Sequence, residues 1–203
     1  MAKDDPKIPE ATMTEYLPTH HRRSIRLPGY DYSNPGAYFV TIVTQARVSL
    51  FGEVAGGEMS LGLAGQCAAV IWQTLPNHFA VTLDTWVVMP NHLHGILVIH
   101  DPCKGEASGA VSTIIRTGSL PDASPLPPHG TQSGSLGAIL QNYKSVTTRR
   151  INALRGTSGN PVWQRNYYEH IVRDESELDR IRQYIVENPA KWQNDQENPE
   201  RSM

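Results

Sequence analysis

The sequence predicts an α+β fold in which a small antiparallel sheet carries helices on one face. Three observations lead there. Tyr38-Phe-Val-Thr-Ile-Val-Thr44 and His92-Leu-His-Gly-Ile-Leu-Val-Ile99 are β-branched and aromatic runs with strand character. Segments with helical periodicity lie between or after the strands, at 61–79, 136–154 and 174–188. The strand connections are short and hairpin-like, which suits antiparallel pairing better than crossover pairing.

Each element has its own signal. Residues 1–26 are polar, proline-containing and unpatterned, which predicts a flexible arm made basic by His20-His21-Arg22-Arg23-Ser24-Ile25-Arg26. After the 38–44 strand, Leu50-Phe-Gly-Glu-Val54 reads as a short second strand closed by a Gly56-Gly57 turn. The 61–79 pattern predicts an amphipathic helix with Leu63, Ala64, Cys67, Val70, Ile71 and Leu75 near one face. Pro76 should end or kink it. Two further strands, 81–89 and 92–99, flank a tight turn or bulge at Pro90-Asn91. The composition then changes. Residues 101–134 are rich in Gly, Ser and Pro and read as a flexible insertion. Leu136, Ile139, Leu140, Tyr143, Val146 and Ile151 mark a helix packed on one side. The last helix has Glu175, Glu177 and Asp179 near its positive end, and Leu178, Ile181, Tyr184 and Ile185 on its inner side. Pro189 stops it. The expected organisation is one domain over 27–193, interrupted by 101–134, with a basic arm before it and a polar tail at 194–203.

Composition narrows the function. The 203 residues are 39% hydrophobic with a net charge of −2, so the chain is not a bulk polycation. Any nucleic-acid contact must use local positive charge. Gly134 to Tyr168 contains no acid but holds Lys144, Arg149, Arg150, Arg155 and Arg165. The other reading of these cations is an ordinary solvated face. No apolar run approaches the ~20 residues that span a bilayer, so no membrane partner is expected. The first residues lack the apolar stretch of an export signal. Cys67 and Cys103 alone make no disulfide framework. A reducing cytoplasm is the expected compartment.

The chemistry concentrates at two places. In a strand, His92 and His94 project from the same face, and two adjacent imidazoles make half of a divalent-cation site. A hydrogen-bonded histidine pair is the alternative. Tyr184 and Asn188 lie four apart on one face of the last helix, offering a phenolic nucleophile and a neutral carboxamide oxygen. Here the alternative is a core aromatic followed by a helix terminator. Tyr143, Tyr167 and Tyr168 compete for the nucleophile's role but lack a carboxamide four residues on, and read as packing or stacking groups.

Met89-Pro-Asn-His-Leu-His94 followed by Tyr184-Ile-Val-Glu-Asn-Pro189 resembles the HUH single-tyrosine transposases. Within that superfamily the sequence is most similar to REP-associated and other IS200-like tyrosine transposases. Ser24-Ile-Arg-Leu27, Tyr38-Phe-Val-Thr41, Asn142-Tyr-Lys-Ser145 and Val162-Trp-Gln-Arg-Asn-Tyr-Tyr168 add to the likeness, which covers about residues 22–193. The resemblance implies a ferredoxin-like domain of HUH endonuclease type. It further implies Mg²⁺ or Mn²⁺ held by His92, His94 and Asn188, with Tyr184 as nucleophile. Many such enzymes carry Gln at the third-ligand position, where this chain has Asn188. The implied activity is metal-dependent cleavage and rejoining of single-stranded or hairpin DNA through a 5′-phosphotyrosine, by a monomer or homodimer. Arg22, Arg23, Arg26, Lys144, Arg149, Arg150, Trp163 and Arg165 are the candidate DNA contacts, combining phosphate neutralisation with stacking. Two rivals stay open: a catalytically silent DNA-binding protein of the same fold, and an unrelated metal-dependent hydrolase using His92 and His94.

Overall fold

The computed structural model describes residues 30–101 and 132–201. The arm at 1–26, with Arg22, Arg23 and Arg26, and nearly all of the 101–134 insertion lie outside the described residues.

Among the described residues, six strands and three α-helices follow one another as β1 (Gly36–Val43), β2 (Gly52–Ala55), β3 (Glu58–Leu61), α1 (Leu63–Gln73), β4 (Val81–Val88), β5 (His92–Ile99), α2 (Leu136–Arg155), β6 (Tyr168–Ile171) and α3 (Glu175–Glu187). The main sheet has four antiparallel strands in the order β4-β5-β1-β6. β2 and β3 form a separate hairpin. Its turn uses Gly56 and Gly57 at φ +62° and +83°, a pair of left-handed residues that glycine tolerates without steric cost. The α+β antiparallel class is as the sequence predicts.

The helices, however, cover both faces of the sheet. Tyr38, Val40 and Ile42 of β1, with Leu93 and Leu97 of β5, pack on α1 and α2 in one core. The alternate residues Phe39 and Ile96 pack with Tyr168, Ile181 and Ile185 in a second core beneath α3. The reason is visible in the strands. β1 and β5 are apolar almost without alternation and buried nearly throughout, so each face needs a cover.

The elements differ from expectation in extent, in facing and in number. The helix foreseen at 61–79 is shorter, because Leu61 belongs to β3 and a short 3₁₀ turn at Leu75–Asn77 places Pro76 beyond the helix end. Its buried face is also rotated: Ala64, Ala68, Ile71 and Trp72 point inward, while Leu63 is 72% and Val70 54% exposed. Trp72 is the cause, since the largest side chain on the helix occupies the core. It lies under Gly95, where an added Cβ would meet the indole Cζ2 at 2.5 Å. The short strands β3 and β6 and a 3₁₀ helix at Pro189–Asn194 were not anticipated. Among the described residues, no helix is long and apolar enough to cross a membrane.

Candidate active site

β5 lies between β4 and β1, so any side chain on its α3-facing side sits in the middle of the sheet. His92 and His94 occupy that side, at 0% and 3% exposure. Their Nε2 atoms face each other at 3.0 Å. Each Nδ1 is tied elsewhere: His92 to Asn91 Oδ1 at 2.8 Å, and His94 to Thr41 Oγ1 at 2.8 Å. Thr41 reaches His94 because the two residues are register partners across β1 and β5. Phe39 stacks on the His94 ring with centroids 5.6 Å apart. The pair is rigidly seated.

α3 brings the tyrosine. Asp174 caps its N-terminus by accepting from the Glu177 amide at 2.8 Å, and Glu177 reaches back to the Arg173 amide at 2.8 Å. Ile181 and Ile185 anchor the helix on Phe39 and Ile96, each side chain contributing about 1.5–3 kcal/mol by burial. Arg182 adds a two-pronged contact to Asp84 on β4, Nε to Oδ1 at 3.0 Å and Nη2 to Oδ2 at 2.7 Å. That contact sets the helix against the sheet. Tyr184 then projects over the histidines, its Oη 3.3 Å from His94 Nε2 and its ring 5.2 Å from the His94 ring. Burial, the largest cause, and the carboxylates of Asp195 and Glu197 push the Tyr184 phenol well above its ordinary value, while the Asn188 side chain opposes them by hydrogen bonding.

Asn188 is the C-terminal cap of α3 and is 2% exposed. Its Nδ2 donates to Asp195 Oδ2 at 3.1 Å. Its Oδ1 is buried and, among the described residues, has no hydrogen-bond partner. Asp195 lies just after the 3₁₀ helix at Pro189–Asn194, which folds the chain back over β5 and sets Trp192 beside His92 at 5.9 Å between ring centroids. As a result, one ligand atom each of His92, His94 and Asp195 lie within 4.8 Å of one another, a spacing that can hold a metal ion. Two imidazole nitrogens, a carboxylate and an unsatisfied buried carboxamide oxygen fit a divalent cation such as Mg²⁺ or Mn²⁺.

The structure therefore gathers His92, His94, Tyr184 and Asn188, all named from the sequence, and adds Asp195, which sequence reasoning placed in a polar tail. The signal for Asp195 was faint: an acid seven residues beyond Asn188, after a Pro189 that stops α3 and re-aims the chain.

The other candidates scatter. Trp163 is buried, donates from Nε1 to Thr147 Oγ1 at 2.7 Å and packs on Phe51 and Tyr143, so it offers no open ring face to a base. Lys144 donates to the carbonyls of Gln164, Arg165 and Asn166 at 3.0, 3.3 and 3.0 Å and lies over the Tyr167 ring. Its ammonium braces the loop before β6, and burial pulls its pKa down to about 8. Arg149, Arg150 and Arg165 are exposed. Arg149 and Arg150 stand on α2, in the helical layer opposite the histidine face. Tyr143 is buried in the opposite layer with its hydroxyl on the Ala68 carbonyl at 3.2 Å. Tyr168 lies on the histidine face, as the register partner of Thr41 and packed on Phe39.

No family model matches the chain. It is 39% identical over 178 residues to an uncharacterized protein of Haemophilus influenzae, an alignment spanning 87% of this chain and 93% of that one. Two solved structures are similar at lower identity. One is a REP-associated tyrosine transposase bound to a REP hairpin, at 16% identity and a TM-score of 0.49, covering 86% of this chain and 74% of the other. The second is a transposase candidate from Deinococcus radiodurans R1, at 16% identity and a TM-score of 0.41, covering 79% of this chain and 94% of the other.

Proposed function

We propose that this chain, which belongs to one family with the Haemophilus influenzae protein, is a metal-dependent single-stranded DNA endonuclease and strand transferase of the HUH single-tyrosine class. One observation carries the reading. A tyrosine oxygen, two imidazoles, a carboxamide and a carboxylate, drawn from β5, α3 and the segment after it, converge on one buried point. The resemblance of the Pro-Asn-His-Leu-His and Tyr-x-x-x-Asn-Pro segments to REP-associated tyrosine transposases supports it independently.

The residues divide the work. Tyr184 Oη attacks a backbone phosphorus, forming a tyrosyl ester to the 5′-phosphate. The bond from phosphorus to the 3′-oxygen breaks, and the proton lost from the phenol is balanced by the one gained at the new 3′-hydroxyl. The phosphodiester energy is kept in the ester, so a 3′-hydroxyl can later reverse the step without a nucleotide cofactor. His92, His94, Asp195 and Asn188 would hold the cation. When bound, it supplies Lewis-acid polarisation of a phosphate oxygen and offsets the negative field of Asp195 and Glu197 at the phenol. Phe39, Ile181 and Ile185 hold the tyrosine helix in place, which is the positioning part of the rate enhancement.

DNA is the partner this chemistry requires. The exposed cations Arg149, Arg150 and Arg165 are available for phosphate, with Lys144 and Trp163 serving the scaffold instead. Tyr184 reaches His94 within one chain, so the tyrosine acts in cis in this reading.

Product analysis tests the proposal. With oligonucleotides taken from the DNA flanking the gene, Mn²⁺ and the purified chain, the expected product is a covalent protein–DNA adduct plus a free 3′-hydroxyl. A free 5′-phosphate with no adduct would indicate a hydrolase. Binding without cleavage would indicate a silent DNA-binding protein.

A further inference from the structure

Asn91 precedes the first histidine and is 0% exposed. Its Nδ2 donates to two backbone carbonyls, Glu197 O at 2.6 Å and Arg47 O at 3.1 Å. Its Oδ1 faces His92 Nδ1 at 2.8 Å. A carbonyl oxygen cannot donate, so the two amide hydrogens must stay on the Nδ2 side and the carboxamide cannot turn over. The Oδ1 left facing the imidazole is an acceptor only. His92 Nδ1 must then carry a hydrogen, and in the neutral ring the lone pair stands on Nε2, the atom that meets His94 and the ligand cluster. Thr41 at His94 imposes no such choice, since a hydroxyl both donates and accepts.

We infer that Asn91 is a positioning residue that presets His92 as an Nε2 ligand and ties that setting to the C-terminal segment. Three parts of the chain remote in sequence meet in it. Arg47 supplies one carbonyl, Glu197 supplies the other, and Arg47 Nε also pairs with Glu197 Oε2 at 2.9 Å. The same segment that delivers Asp195 to the cluster therefore holds the amide that orients His92. The inference rests on the reading that this cluster holds a divalent cation, but not on strand transfer.

The first measurement uses the full wild-type chain without metal. Long-range ¹H–¹⁵N correlation, followed with pH until the neutral-ring pattern is reached, reads the tautomer of His92, assigned by its loss in His92→Ala. Protonated Nδ1 with bare Nε2 is expected. Protonated Nε2 with bare Nδ1 overturns the inference, whatever the variants do. The second measurement is Mn²⁺ titration followed by calorimetry. Asn91→Ala should weaken binding by about 10–100-fold, the usual effect of removing a residue that orients a metal-bound histidine. Asn91→Asp keeps an acceptor for Nδ1–H and should recover most of that loss and retain the tautomer, although it cannot restore the two donated hydrogen bonds. A folded Asn91→Ala that binds Mn²⁺ like wild type, or an Asn91→Asp no better than Asn91→Ala, overturns it. Wild type that binds Mn²⁺ with the expected tautomer, yet forms no adduct with DNA, would remove the strand-transfer reading and leave this one standing.

Discussion

Asn188 Nδ2 donates to the Asp195 carboxylate at 3.1 Å, and among the described residues the amide's own oxygen is left buried without a hydrogen-bond partner. A buried carboxamide oxygen with nothing to accept costs roughly 1–3 kcal/mol, so its orientation calls for a compensating ligand. Asp195 fixes that orientation while presenting its carboxylate to His92 and His94. The two residues thus act as a pair.

Removing Asp195 should therefore cost more than one ligand. Asp195→Ala is expected to raise the Mn²⁺ concentration needed for half-saturation by about tenfold or more, because it also releases the Asn188 amide. Asn188→Ala alone should have a smaller effect, since water can replace a carboxamide oxygen. Titration of both variants and their double mutant checks this; additive losses would deny the pairing.

The histidines should be indispensable to cleavage. His92→Ala or His94→Ala is expected to abolish it, and saturating EDTA should do the same to wild type. Wild-type cleavage that persists in EDTA would take the cation out of the mechanism.

The tyrosine helix is held to the sheet partly by charge, which gives a pH signature. Hydrogen bonds from Arg182, the largest cause, lower the Asp84 carboxyl from 3.8 to about 2. The folded value is depressed, so the contact stabilises the fold above the unfolded value and loses its contribution as pH falls toward 2. Asp84→Asn should lower stability by about 1–2 kcal/mol at neutral pH. Denaturant unfolding of the two proteins should converge between pH 3.8 and about 2. A difference that stays constant through that range would contradict the assignment.

Gly95 separates His94 from the core below. Because an added Cβ would meet Trp72 Cζ2 at 2.5 Å, Gly95→Ala must displace the indole or the strand. A loss of about 1–3 kcal/mol is expected, with reduced metal affinity as β5 shifts. Thermal unfolding at wild-type stability would show that the packing has slack there.

Most of the site was legible because its members lie close in sequence on elements of known period. A strand puts His92 and His94 on one face, and a helix turn puts Tyr184 above Asn188; both relations need only local geometry. What escaped depends on the chain's return. Asp195 and Glu197 carry no periodic signal, and only the turn after Pro189 brings them to β5. The same limit applies to Lys144 and Trp163. Their residue types suit DNA, but the packing of α2 against the loop before β6 spends one on carbonyls and buries the other. The second helical layer was not foreseen, since the sequence reading put the helices on one face; its signal was the absence of alternation in β1 and β5, which demands cover on both faces.

The most direct test of the account is the fate of Tyr184. Phenylalanine removes only the Oη that stands 3.3 Å from His94 Nε2 and leaves the ring's packing on Phe39 intact. Wild-type chain incubated with single-stranded flanking DNA and Mn²⁺ should yield an adduct that survives denaturing electrophoresis. Tyr184→Phe should yield none while binding the DNA nearly as well. An adduct that persists in Tyr184→Phe, and disappears instead in Tyr143→Phe or Tyr168→Phe, would contradict the account.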